Sequence, residues 1–476
     1  MTAAPAPVAS RRPPIVIIGG GITGLSAALA LESRADLPPA LVLEAGDRPG
    51  GCLRTTRRDG LVLEHGADSL VRTKPAALEL AERLGISGEM TGLREPGVPP
   101  LVLRRGKLVP LPSGLRYFVP GDPKALLTSP AISLRGRLRA LADVVLPAGA
   151  SAWLDDEPLD SFVRRRFGSE LLAGIAQPLA AGIWPGEPSS LSMETLLPRL
   201  RRLERNHGSI IRSLLRERRR AAPPAAGEPR GNFLSPAGGM ERLAEAASKS
   251  LERGRIRCGV RATGLTRSAS GGWEVSTSAG PIAAAAVLLA LPAPAAARLA
   301  AVPAPELSAA LAAVPGSDAA TLNLVYREQD VPPLPAGSGF LVPAREGRAL
   351  LACTFMHRKY PGRAPDGVVL LRAFAGPAAV AAHGGDGEAV IGALRQELET
   401  LLGISAPPVD TLLTPYEQVL PVFETGHAAR RLRIEWAAGA AGRLAVAGNY
   451  LTGVGISDCI ESAGRAARRI AALLSD

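Results

Sequence analysis

At 476 residues the chain is too long for one simple core, and the usual domain size of about 100–200 residues predicts two or three. Its content of 46% hydrophobic and 21% charged residues is that of a folded globular protein and excludes chain-wide disorder. The net charge of +11 comes almost wholly from Arg and suits an acidic ligand or an anionic surface, while no zinc spacing, RNA-binding sheet motif or basic–aromatic stripe speaks for nucleic acid.

In chain order, residues 1–13 are Ala/Pro-rich and are expected to form a flexible tail that lacks the apolar core of a secretory signal. Ile15-Val16-Ile17-Ile18 reads as a buried parallel strand. The turn Gly19-x-Gly21-x-x-Gly24, with Ile22 and Thr23 inside it, leads into a helix over Leu25–Leu31, and Ala40–Glu44 reads as a second strand. This is one βαβ unit with a dinucleotide-binding turn. Gly19 permits the tight bend, Gly21 lets the backbone approach a pyrophosphate, and Gly24 lets helix and strand pack. The helix N-terminus then offers free N–H groups to the phosphates. Glu44 stands where a carboxylate accepts ribose hydroxyls, and its charge argues against a 2′-phosphate.

Residues 96–230 carry Pro/Gly punctuation and helical stretches, with helices expected at Leu159–Phe167 and Leu196–Arg219 and a basic, then Pro/Ala-rich, loop over Arg216–Arg230. Met240–Leu251 reads as a helix, and Arg255–Val260, Gly272–Ser276 and Val287–Leu291 read as strands. The uncharged run Pro281–Ala297 is broken by Pro292 and Pro294, which argues against a membrane span. Residues 301–425 alternate strands and helices, after which Gly442–Ala447 reads as a strand and Cys459–Leu474 as a helix. The organisation expected is a discontinuous nucleotide domain from residues 14–95, 231–300 and 426–476, a mostly helical insertion at 96–230 that gives substrate or membrane access, and an α+β substrate domain at 301–425. Cys52, Cys258, Cys353 and Cys459 are scattered and read as reduced thiols of a cytoplasmic protein, with no metal spacing. His65, His207, His357 and His427 fall in no nucleophilic or zinc constellation, so no dedicated catalytic side chain is expected.

Two glycine-rich segments at opposite ends of the chain separate FAD from NAD. Glu44-Ala45-Gly46-Asp47-Arg48-Pro49-Gly50-Gly51-Cys52-Leu53-Arg54-Thr55 resembles the continuation found in flavin amine oxidase-type proteins, where an Arg and a Gly-Gly pair follow the ribose-binding Glu. Arg48 and Arg54 are expected to offset phosphate charge. Val446–Ile460, with Gly448, Val454, Gly455 and Ile456, is a strand running into a loop that opens a helix, and it resembles the segment that meets the flavin end of the cofactor.

More specific segments resemble the protoporphyrinogen/coproporphyrinogen oxidases. They are Glu64-His65-Gly66-Ala67-Asp68-Ser69, Leu108–Leu115, Ala181–Pro188 with Leu191-Ser192-Met193, Gly238-Gly239-Met240 with Leu243, Leu420-Pro421 with Gly426-His427, and Gly448-Asn449 with Gly453-Val454-Gly455 and Asp458-Cys459-Ile460. The resemblance implies an α/β fold with a Rossmann-like FAD domain. It implies Gly66, Ala67, Asp68 and Ser69 beside the flavin, Val260 at the cofactor, and Gly182, Leu341 and Phe374 around a tetrapyrrole. The family reaction turns a porphyrinogen into a porphyrin in three two-electron steps, the flavin carrying the redox chemistry and O2 taking the electrons. Protoporphyrinogen IX is the leading substrate, with coproporphyrinogen III as a close variant. The chain departs from the family at Ala67, Trp184-Pro185, Val422, Phe423 and Tyr416, the last standing where Trp is common. Pro99-Pro100 replaces a family Arg that meets a propionate, while Arg104, Arg105 and Lys107 lie nearby. A flavin amine oxidase, a polyene desaturase and a non-catalytic carrier of the same fold stay open, as do a homodimer and peripheral contact with the cell membrane.

Overall fold

The computed structural model describes residues 12–95, 98–220, 231–269 and 271–475. The apolar runs Ile15–Ile18, Ala40–Leu43, Ala286–Leu289 and Leu444–Val446 are buried at every position. A parallel sheet covered on both faces asks for such uninterrupted strands. With Arg255–Arg257 at one edge they form a five-stranded parallel sheet in the order Arg255–Arg257, Ala40–Leu43, Ile15–Ile18, Ala286–Leu289, Leu444–Val446. Three distant stretches of chain therefore build one sheet. On one face Ile15, Ile17 and Leu288 pack against Ala27, Leu31, Ala463, Ala467 and Ile470 of the helices Ile22–Glu32 and Ile456–Ser475. On the other, Val16, Ile18 and Leu289 pack with Trp273, Ala296, Leu307 and Ile434.

A second, seven-stranded sheet runs in the order Asp410–Pro421, Gly316–Arg327, Val368–Ala375, Leu350–Phe355, Gly339–Leu341, Leu101–Arg104, Lys107–Pro110. One face is closed by the helix Gly387–Leu402 through Val390, Leu394 and Leu398, which meet Tyr326 and Leu371. The last two strands correct the expectation of a largely helical segment from residue 96. Arg105 (φ 52°) and Gly106 (φ 76°) make a two-residue hairpin turn, and the strand before it pairs Leu101 and Val102 with Phe340 and Leu341. That partner lies far away in sequence, so local composition does not reveal it.

Beyond the hairpin the segment is mostly helical. Leu159–Phe167 has the expected bounds and buries Phe162, Val163 and Phe167 beside Phe118, Leu171 and Ile175. The expected helix Leu196–Arg219 is two helices, Pro198–His207 and Ile210–Arg220, parted at Gly208 with φ 72°. Ser209 Oγ accepts from Arg212 N and starts the second. These helices are tied by buried ion pairs. Arg166 meets Asp143 and Glu204, Arg165 meets Glu157 and Glu204, and Arg201 meets Glu157. Buried charges of both signs in mutual contact satisfy one another. Of the expected loop Arg216–Arg230, residues 216–220 belong instead to the helix Ile210–Arg220; residues 221–230, and residues 1–11 of the expected tail 1–13, lie outside the described residues.

Candidate functional site

The parallel sheet positions the first half of the site. Gly19 has φ 109°, and a Cβ there would overlap the carbonyl oxygen of Ala290; a Cβ on Gly24 would overlap that of Gly19. Only glycine allows the strand to turn this tightly into the helix. The second glycine pair folds onto the first. Gly50 N donates to Gly20 O at 2.8 Å, and a Cβ on Gly51 (φ 57°) would come within 3.1 Å of Gly21 Cα. Two bare backbone turns thus lie against each other at the N-terminus of the helix Ile22–Glu32, where the first-turn N–H groups have no intrahelical acceptor.

Glu44 joins these turns to the strand beside them. Its Oε2 accepts from Gly20 N at 2.8 Å and its Oε1 from Gly46 N at 2.7 Å. Each oxygen keeps a lone pair for a ribose hydroxyl. Val260 N donates to Glu44 O at 3.0 Å and Gly259 N to Gly46 O at 2.7 Å, which sets Ala45 and Val260 at one edge of the cradle. Arg48 differs from the sequence expectation. Its guanidinium donates to the carbonyls of Pro49, Gly51 and Leu53 and to the Glu241 carboxylate, at 2.9–3.2 Å. The irregular Gly50–Leu53 loop leaves those carbonyls without ladder partners, and Arg48 satisfies them. Its part in the site is to shape the loop that holds Cys52 and Leu53.

The C-terminal loop lies beside the first turn. Ile22 and Leu25 pack with Ile456 and Cys459. Gly448 N donates to Ser462 Oγ at 3.0 Å, and a Cβ on Gly448 would press into the Tyr450 ring. Gly455 N donates to Asp458 Oδ2 at 3.1 Å, and Lys74 Nζ holds both Asp458 oxygens at 2.7 and 2.8 Å. Val454, Gly455 and Ile456 therefore open the last helix at a fixed place, just past the carboxyl end of Leu444–Val446, where parallel sheets bind their ligands.

The second sheet contributes a face. Leu341 pairs with Ala352, Ala352 with Phe374, Phe374 with Thr321 and Thr321 with Thr414. Directly opposed residues project from the same face, so this is one row. Thr321 Oγ1 donates to His65 O at 2.7 Å, and Thr414 Oγ1 lies 2.9 Å from His65 Nδ1. A Cβ on Gly182 would lie 3.8 Å from Leu341 Cδ2. The row therefore runs from the loop 64–69 at one end to Gly182 at the other, with Phe374 and Leu341 between them.

Two residues further along these strands, Asn323 Nδ2 donates to Glu64 O at 3.0 Å and Arg372 Nη2 to His65 O at 3.1 Å and to Gly66 O. The Arg372 guanidinium lies 4.8 Å from the Phe374 ring centroid and 3.4 Å from Asp68 Oδ2. Lys359 Nζ meets Asp68 Oδ1 at 2.8 Å, and Ser69 Oγ donates to Asp68 and accepts from the Tyr360 hydroxyl at 2.8 Å. Burial alone would raise the Asp68 carboxyl; Lys359 and Arg372 instead hold it well below the carboxylate range. Ala67 is exposed between them. Glu64 is buried, accepts from Thr55, Met240 and Arg363, and is pushed up by burial against the pull of Arg363. His65 is pushed down to about 4 by burial and by Arg54, Arg48 and Arg372, so the ring is neutral at pH 7. Sequence reasoning missed Arg372, Lys359, Asn323, Thr321 and Thr414. The signal for two of them was a lone polar residue inside an apolar strand, Arg372 in Val368–Ala375 and Asn323 in Gly316–Arg327.

This donor set fits an extended dinucleotide. A carboxylate with spare lone pairs sits at one end, two glycine turns lie in the middle, and the N-terminus of the helix Ile456–Ser475 lies beside them. The family described as flavin containing amine oxidoreductase matches residues 22–471. The chain is 31% identical to the coproporphyrinogen III oxidase of Bacillus subtilis (strain 168), over 95% of this chain and 96% of that protein. It is 30% identical to the protoporphyrinogen oxidase of Bos taurus, over 96% of this chain and 98% of that protein. A solved structure from Exiguobacterium sp. 255-15, assigned as a protoporphyrinogen oxidase, superposes with a TM-score of 0.85 at 29% identity, covering 98% of this chain and all of that one.

Proposed function

The chain belongs to the flavin containing amine oxidoreductases and, among them, to the porphyrinogen oxidases, and from that premise we propose that it oxidises a porphyrinogen of haem synthesis, protoporphyrinogen IX or coproporphyrinogen III, to the porphyrin. Its cofactor is FAD. The observation that carries the substrate reading is the row Leu341–Ala352–Phe374, turned toward the loop 64–69 and Gly182. A large flat macrocycle needs apolar surfaces of this kind, and Phe374 offers a ring face.

Glu44, Ala45 and Val260 would hold the adenosine, the turns Gly19–Gly24 and Gly50–Cys52 the pyrophosphate, and the segments Gly66–Ser69 and Gly448–Ile456 the isoalloxazine. Bound FAD supplies two-electron oxidation, used three times per macrocycle, with O2 as the acceptor. The protein's work is positional. Arg372, Asp68 and Lys359 pin the loop that carries Gly66, so the cofactor wall and the sheet face keep one spacing. Leu341 and Phe374 exclude water from one side of the substrate, and Gly182 limits its approach from the other. We read residues 301–425, together with the hairpin at 101–110, as the substrate-facing part, and the sheet built from the beginning, middle and end of the chain as the FAD part.

The test is direct. The purified protein should be yellow, and adding either porphyrinogen in air should produce porphyrin fluorescence. A comparison of the two rates assigns the substrate. A colourless protein would support the carrier reading, and a yellow protein that forms no porphyrin would support another flavin oxidase. Among the described residues no helix is long and apolar enough to cross a membrane. Exposed Leu127, Leu134 and Leu138 beside the basic helix Leu134–Leu141 support a peripheral contact with an anionic bilayer from the cytoplasmic side. Sedimentation with anionic and neutral vesicles checks that contact.

A further inference from the structure

His427 opens the helix His427–Ala440 and is fully buried. Its Nε2 lies 3.3 Å from Leu451 O, and its ring meets the Phe423 ring edge-on at 4.6 Å between centroids. A carbonyl oxygen can only accept, so the proton sits on Nε2 and the imidazole donates. Nδ1 is buried without a partner among the described residues, and a proton there would be a buried donor with nothing to meet. Leu451 lies in the irregular loop between the strand Leu444–Val446 and the helix Ile456–Ser475, where no ladder serves its carbonyl. His427 supplies the missing donor.

The residues just before His427 are gripped from the other side. Ser192 N donates to Phe423 O and Thr425 N to Ser190 O, both at 2.8 Å, and Leu191 bridges to Glu424. Asp156 Oδ2 accepts from Ser192 Oγ at 2.7 Å and from Gly426 N at 2.9 Å. Gly186, with φ 111°, lies so near Val422 that a Cβ would come within 2.7 Å of Val422 Cγ1. The loop that follows Gly182 is thereby tied to residues 422–426. The next residue, His427, reaches the loop assigned above to the isoalloxazine. One short segment thus joins the substrate wall to the flavin wall, and on the flavin side the join is the imidazole.

We propose that His427 is a positioning residue of the redox centre, its Nε2–H fixing Leu451 O so that the flavin-facing loop keeps one spacing from the Gly182 wall. The assignment rests on the porphyrinogen oxidase reading. Transfer between macrocycle and cofactor needs the two in close register, and a misplacement of about 1 Å can cost about a hundred-fold in rate. His427 touches neither group and acts through the backbone of Leu451. Burial, chiefly, keeps its ring neutral down to about pH 4, so the donor and the bare Nδ1 keep their roles at neutral pH.

His427→Phe keeps a buried ring beside Phe423 and removes the donor. Its kcat per bound flavin should fall about ten-fold, with KM within about two-fold of wild type, because register is lost and substrate contacts are not. Its visible flavin band should be displaced, since the loop that meets the ring has moved. His427→Gln, whose amide can place a donor near the Nε2 position, should recover most of the rate and the band. Asp156→Asn loosens the opposite end of the clasp and should show the same fall in kcat with KM held, which tests the proposal even where His427→Phe folds poorly. Wild-type kcat per flavin and an unmoved band in His427→Phe, whatever its melting temperature, overturn the proposal and leave the enzyme reading intact. A His427→Gln as slow as His427→Phe, or wild-type kcat in Asp156→Asn, overturns it too. A yellow wild type inert toward both porphyrinogens overturns the enzyme reading and the proposal together.

Discussion

Leu341 and Phe374 face the same way because both pair with Ala352, one on each side of it. A macrocycle laid along this row would touch both side chains while Ala352 leaves room between them. Phe374→Ala and Leu341→Ala should each raise KM for porphyrinogen about ten-fold or more, the effect of losing roughly 1.5–3 kcal/mol of apolar contact. Flavin absorbance should stay at the wild-type level. Steady-state rates checked against flavin content separate the two quantities, and an equal loss of flavin would place these residues at the cofactor instead.

The glycine turns predict a different outcome. Gly51 has φ 57° and faces Gly21, so Gly51→Ala meets both backbone strain and a close contact. The strain alone is about 1–2 kcal/mol. We expect about ten-fold weaker FAD binding from the close contact with Gly21 and, from the strain, a melting temperature of the apoprotein lowered by about a few degrees. Gly24→Ala, whose Cβ would overlap Gly19 O at the strand–helix junction, should lower the yield of folded protein as well. Flavin titration and circular dichroism distinguish the two variants.

The pair Glu64–Arg363 is fully buried, at 3.0 Å and 0% side-chain exposure on both partners. Arg363→Met leaves the carboxylate without its cation and should cost about 3–5 kcal/mol. The double variant Glu64→Gln, Arg363→Met should recover part of that loss, because the remaining amide is neutral. Chemical denaturation of wild type, Glu64→Gln, Arg363→Met and the double variant measures the coupling, and strictly additive effects would show that the two groups do not act as a pair.

Acidification should weaken the fold in two windows. His427 is pushed down to about 4, chiefly by burial, and His65 likewise. Between pH 6.5 and about 4 the unfolded chain binds protons at these rings that the folded chain does not, so stability falls as pH drops through that range, by about 3 kcal/mol per ring. Asp68, held low by Lys359 and Arg372, contributes stability above its unfolded value of 3.8 and loses it only in stronger acid. Glu64, raised by burial, has the opposite sign and moderates the fall. Melting temperature against pH tests this, and His427→Gln should flatten the upper window.

The first half of the site was legible in the sequence because its signals are local. Gly19, Gly21 and Gly24 follow an apolar strand at fixed spacing, and Glu44 ends the next one. The apolar run in Ala286–Leu289 and the glycines at 448–455 were also recognisable, although nothing local says that they meet the first turn. The second half depends on register. Whether Phe374, Thr321 or Thr414 faces the loop 64–69 or the helix Gly387–Leu402 turns on pairings between strands far apart in sequence. A bulge between Ser317 and Ala319 shifts one of those pairings, so alternation read from the strand's start would misplace the faces. The partners of Arg48 were equally hidden, since a free guanidinium and one consumed by loop carbonyls have the same sequence.

The strand Ala286–Leu289 lies between Ile15–Ile18 and Leu444–Val446. A nascent polypeptide that has just emerged through its middle still lacks the outer strand and the helix Ile456–Ser475 that covers Ile15 and Leu288. At a synthesis rate of 5–20 residues per second that gap lasts roughly 8–30 s. During that interval an apolar edge is open to solvent and to other chains. The parallel sheet that carries the glycine turns is therefore completed late in the synthesis of each molecule.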